Sequence, residues 1–498
     1  MNVNPITRLD YPDLDVIRVE DTYYMVSTTM HFMPGCEILQ SFDLVHWEHV
    51  TYVYETLDHT DAQQLKSGQN IYGQGMWAAS LRYHEGRFYI CFVANDTRKT
   101  YLYTSEKIDG PWKKQLIEGF YHDGSLLFDE DGRSYIVYGN DEIWITELNE
   151  DLTAPKKDGL HRLLVSDHKN PELGYEGSHI QKINGYYYIF LIHSLRDRWM
   201  RTEACFYSDS LEGEFTGGDV LCDDRGYCGQ GVAQGGIVDT PDGKWYAMLF
   251  QDSGAVGRIP ILLPVTWKDH FPFFGQNGHV PEEIEVHSTR PGYIYQPLVG
   301  SDDFCNGLLP RWQFNHDPDP RYYHLDALQG TYTITTREVC TELTQAVNTL
   351  TQRMSYPSCA AEVTVDASAL KEGDVAGLCA LQGCYAAVGI TKHHGKYEVL
   401  MLDKKEDGIL DMTEGTVVES HQMDFRLEAD FCNMKDEARC YYRVNKGDWL
   451  PIGTVHKLYF KLDHFTGCRF GLFCYAAEET GGSACFRDFK YYDVDEIS

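Results

Sequence analysis

The sequence predicts an all-β chain: a five-bladed β-propeller over residues 1–290, a linker at 291–302, and a β-sandwich over 303–498. Three observations carry this. A unit made of a turn and an aromatic strand recurs five times before residue 250. Its texture changes after Pro281, where acidic residues, Pro and Gly replace it. Throughout, long runs with the 3.6-residue apolar rhythm of amphipathic helices are scarce.

The five copies begin at Glu20-Asp21-Thr22-Tyr23-Tyr24, Glu85-Gly86-Arg87-Phe88-Tyr89, Asp131-Gly132-Arg133-Ser134-Tyr135, Asn184-Gly185-Tyr186-Tyr187-Tyr188 and Asp242-Gly243-Lys244-Trp245-Tyr246. Asp-Gly and Asn-Gly suit tight hairpins because both residues tolerate positive φ. Between the tyrosines that end these segments the spacings are 65, 46, 53 and 58 residues. A second β-like run follows each copy, and Leu44-Val45-His46-Trp47 and Gly110-Pro111-Trp112 close two of the units. Several strands per unit at that period read as propeller blades. A sandwich with repetitive hairpins is the competing arrangement. Beyond the linker, Tyr332–Thr336, Ala360–Val365, Tyr385–Ile390, Tyr397–Leu402 and Phe470–Tyr475 alternate or run apolar between charged turns, as antiparallel sandwich strands do.

Composition narrows the function. Lys plus Arg is 43 against 75 Asp plus Glu, a formal charge of −32. Such a surface repels nucleic acid and anionic membranes and leaves a neutral or cationic small ligand as partner. The 34 Tyr and 23 Phe supply strands and cores first, and flat platforms for sugar rings second. The 15 Cys are odd in number and lack a Cys-x-x-Cys pair, so neither a disulfide framework nor a zinc site is expected. Free thiols, no basic-then-apolar leader in Met1–Leu14 and no membrane-length apolar run predict a cytoplasmic protein. A homo-oligomer is compatible with all of this.

A propeller gathers its innermost strands around a central funnel, so polar residues distant in sequence converge there. Asp13, Asp123 and Glu176 each stand just before or at the start of an apolar strand that leads into a repeat hairpin. Their offsets to the repeat tyrosine are 11, 12 and 12 residues. A single acid at a strand start is ordinarily a solvated turn residue; three at one blade position are a set. Close carboxyl groups drive one another's pKa values apart, which supplies an acid and a base at one pH.

At these residues the chain resembles glycoside hydrolase family 43. The matching segments are Tyr11-Pro12-Asp13-Leu14, Trp77-Ala78-Ala79-Ser80, Asp123-Gly124-Ser125-Leu126-Leu127-Phe128 and Glu176-Gly177-Ser178-His179, followed by Val238 to Gly243 and Gly257-Arg258. Asp303-Phe304, Leu350-Thr351-Gln352-Arg353 and Ala376-Gly377-Leu378 with Leu381-Gln382-Gly383 resemble the concanavalin-A-like, jelly-roll sandwich of the family's β-xylosidase and arabinofuranosidase branches. The resemblance implies Asp13 as general base, Glu176 as general acid and Asp123 as the modulator that tunes it. It also implies Trp77 and Phe32 as pocket walls and Arg258 as a ligand of sugar hydroxyls or of a carboxylate. By themselves Trp77 and Phe32 also suit a core, and Arg258 a structural ion pair.

Three positions depart from the family pattern. Leu14 and Ala79 replace prolines, and the fifth blade reads Val232-Ala233-Gln234-Gly235-Gly236 where many members carry a His near a calcium ion or water cluster. Gln234 is therefore assigned to substrate binding, no cofactor is required, and a structural calcium is disfavoured. The resemblance further implies inversion: Asp13 activates water and Glu176 protonates the leaving oxygen, with the carboxyls about 6.5–9.5 Å apart. The expected reaction is release of single pentoses, β-1,4-linked xylose or α-L-arabinofuranose, from the non-reducing ends of xylan- or arabinoxylan-derived oligosaccharides. Alternatives are a catalytically weak sugar-binding propeller and an arabinofuranosidase acting on arabinan or xyloglucan side chains. A retaining, invertase-like hydrolase lacks its Asn-Asp-Pro-Asn and Arg-Asp-Pro motifs here.

Overall fold

The computed structural model describes residues 2–461 and 464–493. Among them there is no α-helix, only 3-10 turns between strands, and no helix is long and apolar enough to cross a membrane. Five four-stranded antiparallel sheets follow one another from Asp15 to Phe274, each built from strands in chain order. Their first strands are Asp15–Val19, Met76–His84, Ser125–Phe128, Glu176–Ile183 and Val232–Asp239. These touch in sequence order, and the fifth touches the first, so they ring a central axis. The predicted five blades are present.

The repeat unit is the hairpin between the first and second strand of each blade. Glu85-Gly86 and Asn184-Gly185 put both turn residues at positive φ, the two-residue turn that their sequences favour. The third blade uses a longer turn: Phe128 pairs with Ser134, and Asp129 to Arg133 make the bend. Buried repeat tyrosines such as Tyr135 and Tyr188 fill the spaces between sheets together with Ile136, Ile189 and Phe190.

Because every blade is contiguous, no shared strand closes the ring. Closure falls to side chains and to the N-terminus. Arg18 of the first blade forms a 2.5 Å ion pair with Asp239 of the fifth. Asn2–Val3 pairs antiparallel with Glu283–Ile284, just past the fifth blade. Asn4 then donates from Nδ2 to Leu262 O and Pro281 O, and accepts from Leu262 N at Oδ1.

The C-terminal region is two stacked antiparallel sheets. One contains Asp374–Leu381, Ala386–His393, Lys396–Lys404 and Arg469–Ala476; the other contains Ser358–Asp366, Gln422–Asp430, Glu437–Val444 and Ser483–Asp493. Leu378, Val388, Phe425, Leu427, Phe470 and Phe486 pack between them, and all six side chains are buried. Four of the five predicted sandwich strands overlap these elements, and Tyr332–Thr336 overlaps Thr331–Thr335 of the second sheet.

The two regions are not independent. Phe32–Met33, from the loop after the first blade's second strand, pairs with Gln313–Asn315 and becomes an edge strand of the sandwich. Arg353 reaches back to Glu37 at 2.8 Å and donates from Nε to Asp10 O. Tyr72 donates from its hydroxyl to Thr344 O at 2.6 Å.

Candidate active site

The start of each innermost strand carries the site, and its backbone is the same in all five blades. The pairs Asp15 with Val26, Ser80 with Cys91, Ser125 with Val137, His179 with Phe190 and Gly236 with Met248 stand at equivalent rungs. Two residues before each lie Asp13, Ala78, Asp123, Gly177 and Gln234, with φ of 50°, 33°, 48°, 64° and 61°. A left-handed residue at this point swings the chain over the mouth of the funnel. For a residue with a Cβ that conformation costs about 1–2 kcal/mol, so the surroundings must hold it in place.

Those surroundings pass from blade to blade. Leu81 N donates to Asp15 Oδ2 at 2.8 Å, Leu126 N to Ser80 Oγ at 3.1 Å and Ile180 N to Ser125 Oγ at 3.0 Å. Arg82 crosses the axis below them. It binds Asp15 at 2.8 Å, Ser125 Oγ at 2.7 Å, and the carbonyls of Leu126 and Ile180. His179 Nδ1 lies 3.2 Å from Asp15 Oδ1. Burial of Asp15 is outweighed by Arg82 and His179, which bring its carboxyl down to about 2. A calcium ion does not fit here, because both Asp15 oxygens are engaged and a guanidinium already occupies their side. A larger cavity of about 400 Å³, lined by Arg18, Arg82, Lys182 and Trp245, opens elsewhere and contains none of the three acids.

This register corrects one expectation. Asp13 and Asp123 do share a blade position, but Glu176 stands one residue earlier, where the other blades have Pro12, Trp77, His122 and Ala233. The equal offsets of Asp123 and Glu176 arise because the longer Asp129–Arg133 turn adds length to the third blade. The three acids nonetheless meet. Asp13, Asp123 and Gln234 line one small axial cavity with Gly177, and a Glu176 carboxylate oxygen lies within 4.8 Å of one of Asp123.

Each acid has its own partners. Asp13 is 6% exposed. Its Oδ1 accepts from Arg258 Nη1 at 2.5 Å and its Oδ2 from Thr28 Oγ1 at 2.7 Å. Thr28 Oγ1 in turn accepts from Ala78 N, tying the first blade to the second. Asp123 accepts from Gly177 N at 2.9 Å. Burial pushes the Asp123 carboxyl up to about 6, against the pull of His122 and with the repulsion of Glu176 and Asp13. Glu176 is more open; its Oε2 accepts from Asn140 Nδ2 at 2.7 Å and lies 3.4 Å from His122 Nε2. His122 Nε2 is also 3.5 Å from Asp123 Oδ2. The charge of Asp123 pushes the imidazolium up to about 9 in spite of burial. His122, Asp123 and Glu176 form one cluster, their polar atoms within 4.8 Å of one another.

The remaining predicted residues divide. Arg258 is buried and pairs with Asp13; burial works against its charge, but Asp13, Asp252 and Asp10 hold it above its ordinary range. Trp77 is half-buried beside His122, with ring centroids 6.2 Å apart. Phe32 is not a pocket wall: its ring is 0% exposed and lies 3.5 Å beneath the Arg469 guanidinium, in the seam with the sandwich. The aromatic that does stand over the site is Phe465, from the sandwich. Its ring is 3.9 Å from the Arg258 guanidinium and 5.4 Å from Trp77. Asp10 fastens that loop, accepting from Arg258 N at 2.7 Å and from Gly467 N at 2.8 Å. Sequence reading missed His122, Asn140 and Phe465, and ranked Asp10 below Asp13 because only Asp13 follows the Tyr-Pro pair. His122 adjoins a recognised motif, whereas nothing local marks Phe465, which reaches the site only through the packing of one domain on the other.

The description "Glycosyl hydrolases family 43" matches residues 3–272. This chain is a member of glycosyl hydrolase family 43. Residues 301–492 match the "Beta xylosidase C-terminal Concanavalin A-like domain". As a family 43 member the protein is a glycoside hydrolase. It is 27% identical to a beta-xylosidase of Formosa agariphila over 99% of this chain and 89% of that protein. To a non-reducing-end α-L-arabinofuranosidase of Bacteroides ovatus it is 25% identical, over 66% of this chain and 63% of that one. Among solved structures, a bifunctional GH43-CE protein of Bacteroides eggerthii superposes with a TM-score of 0.93 at 42% identity; all of this chain is covered, but it spans 64% of that protein. A family 43 enzyme engineered for both endo-xylanase and exo-arabinofuranosidase activity gives a TM-score of 0.86 at 27% identity, with 99% of each chain covered.

Proposed function

We propose that this family 43 protein is an inverting exo-glycosidase. It releases single pentoses, β-1,4-linked xylose or α-L-arabinofuranose, from the non-reducing ends of xylan- or arabinoxylan-derived oligosaccharides. The observation that carries the reading is the convergence of Asp13, Asp123 and Glu176 at one mouth of the funnel. Asp13, held by Arg258 and Thr28, removes a proton from water as the water attacks the anomeric carbon. Glu176, at the rim beside solvent, protonates the departing oxygen. Asp123, anchored by Gly177 N–H, sets the charge between them. Phe465, Trp77 and Arg258 bound the sugar, and the ring that the sandwich adds beside Trp77 and Arg258 supports exo action. No metal takes part in this scheme. The absence of a disulfide among the described residues supports a reducing, cytoplasmic setting in which imported oligosaccharides are the substrates.

Nitrophenyl β-D-xyloside and α-L-arabinofuranoside, with xylo-, arabino- and xyloglucan oligosaccharides, test the substrate class. Proton NMR of the first-formed anomer tests inversion; retained configuration refutes it. Asp13→Asn and Glu176→Gln each lower kcat by about 10²–10⁴-fold on unactivated substrates. Near-wild-type turnover in either variant refutes the assignment.

A further inference from the structure

A general acid must regain its proton in every turnover, and Glu176 stands in a field of carboxylates. What lies between it and Asp123 is His122, with Nε2 at 3.4 Å and 3.5 Å from the two carboxyl groups. His122 occupies the third blade's counterpart of the Glu176 position, so the same strand-start geometry aims both side chains at one point. Asp13 also bears on it electrostatically, while the nearby cation, Arg258, is committed to Asp13. Its neutral neighbours are Trp77 and, through Glu176, Asn140. The imidazole is 23% exposed, enough to exchange protons with water.

We propose that His122 holds the proton that Glu176 delivers to the leaving oxygen. The inference rests on the reading of Glu176 as the acid, and His122 acts through Glu176 without touching the sugar. As the glycosidic C–O bond breaks, its electron pair goes to the leaving oxygen, which takes the Glu176 proton. The Nε2 proton of the imidazolium passes to the resulting carboxylate. Neutral His122 then recovers a proton from solvent, and the proton that Asp13 took from water returns there. While His122 keeps its Nε2 proton, Glu176 is recharged by transfer across the 3.4 Å contact. The imidazolium is raised above its ordinary value, so the proton is present below about pH 9 and is lost as pH rises through it. The alkaline limb of activity therefore follows His122.

His122→Asn keeps an N–H donor and removes the titratable proton; His122→Gln is a second variant in case the first folds poorly by thermal melting. Each is assayed across pH with 2,4-dinitrophenyl β-D-xyloside, whose leaving group needs little protonation, and with xylobiose, whose leaving group needs it; the arabinofuranoside counterparts serve if that is the sugar cleaved. The expected result is a loss of about 10–100-fold on xylobiose, about threefold or less on the dinitrophenyl substrate, and an alkaline limb displaced downward by about one pH unit or more. Equal losses on both substrates, or an unmoved alkaline limb, overturn the proposal and leave His122 a packing residue. Glu176→Gln is measured in parallel. If it loses equally on both leaving groups, the acid assignment itself fails, whatever His122 does.

Discussion

The pairing of Arg258 with Asp13 is a buried contact between two propeller charges, covered by a ring from the sandwich. The guanidinium lies between Asp13 and the Phe465 ring, with Asp252 3.5 Å away. Removing one partner of such a pair strands the other in a poorly solvated place, which costs about 3–5 kcal/mol. Arg258→Met should therefore lower stability by about that much in urea unfolding, together with activity. Asp123 presents the opposite case. Its carboxyl is raised to about 6 chiefly by burial, so the folded state binds a proton there more readily than the unfolded chain. The stability this gives is present in acid and is lost as pH rises through about 6. Asp123→Asn, uncharged at every pH, should melt at a higher temperature than the parent at pH 7 while losing turnover. An equal or lower melting temperature would contradict the burial argument.

At the scale of single elements, the strand start is the functional unit. Gly177 shows why its backbone matters. Its φ of 64° is left-handed, and a Cβ there would sit 2.7 Å from Gln234 Cγ. Gly177→Ala should cost about 1–3 kcal/mol and displace the neighbouring Glu176. Adding Gln234→Ala should recover the part due to the clash but not the part due to φ, as a double-mutant cycle would reveal. Much of this element was legible in the sequence, because the turn chemistry of Glu85-Gly86 and Asn184-Gly185 and the aromatic strands after them are local signals. The acids were legible too, by their position before apolar runs. Their exact rung was not. Offsets counted along the chain fold in the length of each hairpin turn, and the five-residue bend at Asp129–Arg133 made Asp123 and Glu176 look equivalent when pairing places them one residue apart. Phe32 was misjudged for a related reason: its surroundings come from the sandwich, which no feature of its own blade announces.

Across the whole molecule, the join between the regions sets how the protein responds to acid. His31 of the propeller packs against His316 and His464 of the sandwich at ring separations of 4.8 Å and 5.2 Å. Burial, with mutual repulsion among the rings, keeps His31 and His316 well below their ordinary range; burial, with repulsion from Arg469, brings His464 down to about 3. Such groups are neutral when folded and take up protons when unfolded. Their contribution is complete above about pH 6.5 and drains away as pH falls below it. The melting temperature should fall from pH 7 to pH 5, and less steeply in His316→Gln than in the parent. Parallel curves would remove the histidines from the account.

The two-residue strand Phe32–Met33 has a consequence for anyone recombining these modules. A sandwich grafted onto a foreign propeller would arrive with the rung beside Gln313–Asn315 vacant, and a propeller shorn of its partner would present a short apolar spur to water. Chimeras cut at the 291–302 tether therefore sever a sheet although the cut lies in a loop. Exchange should succeed only when the 28–36 loop travels with the sandwich it completes.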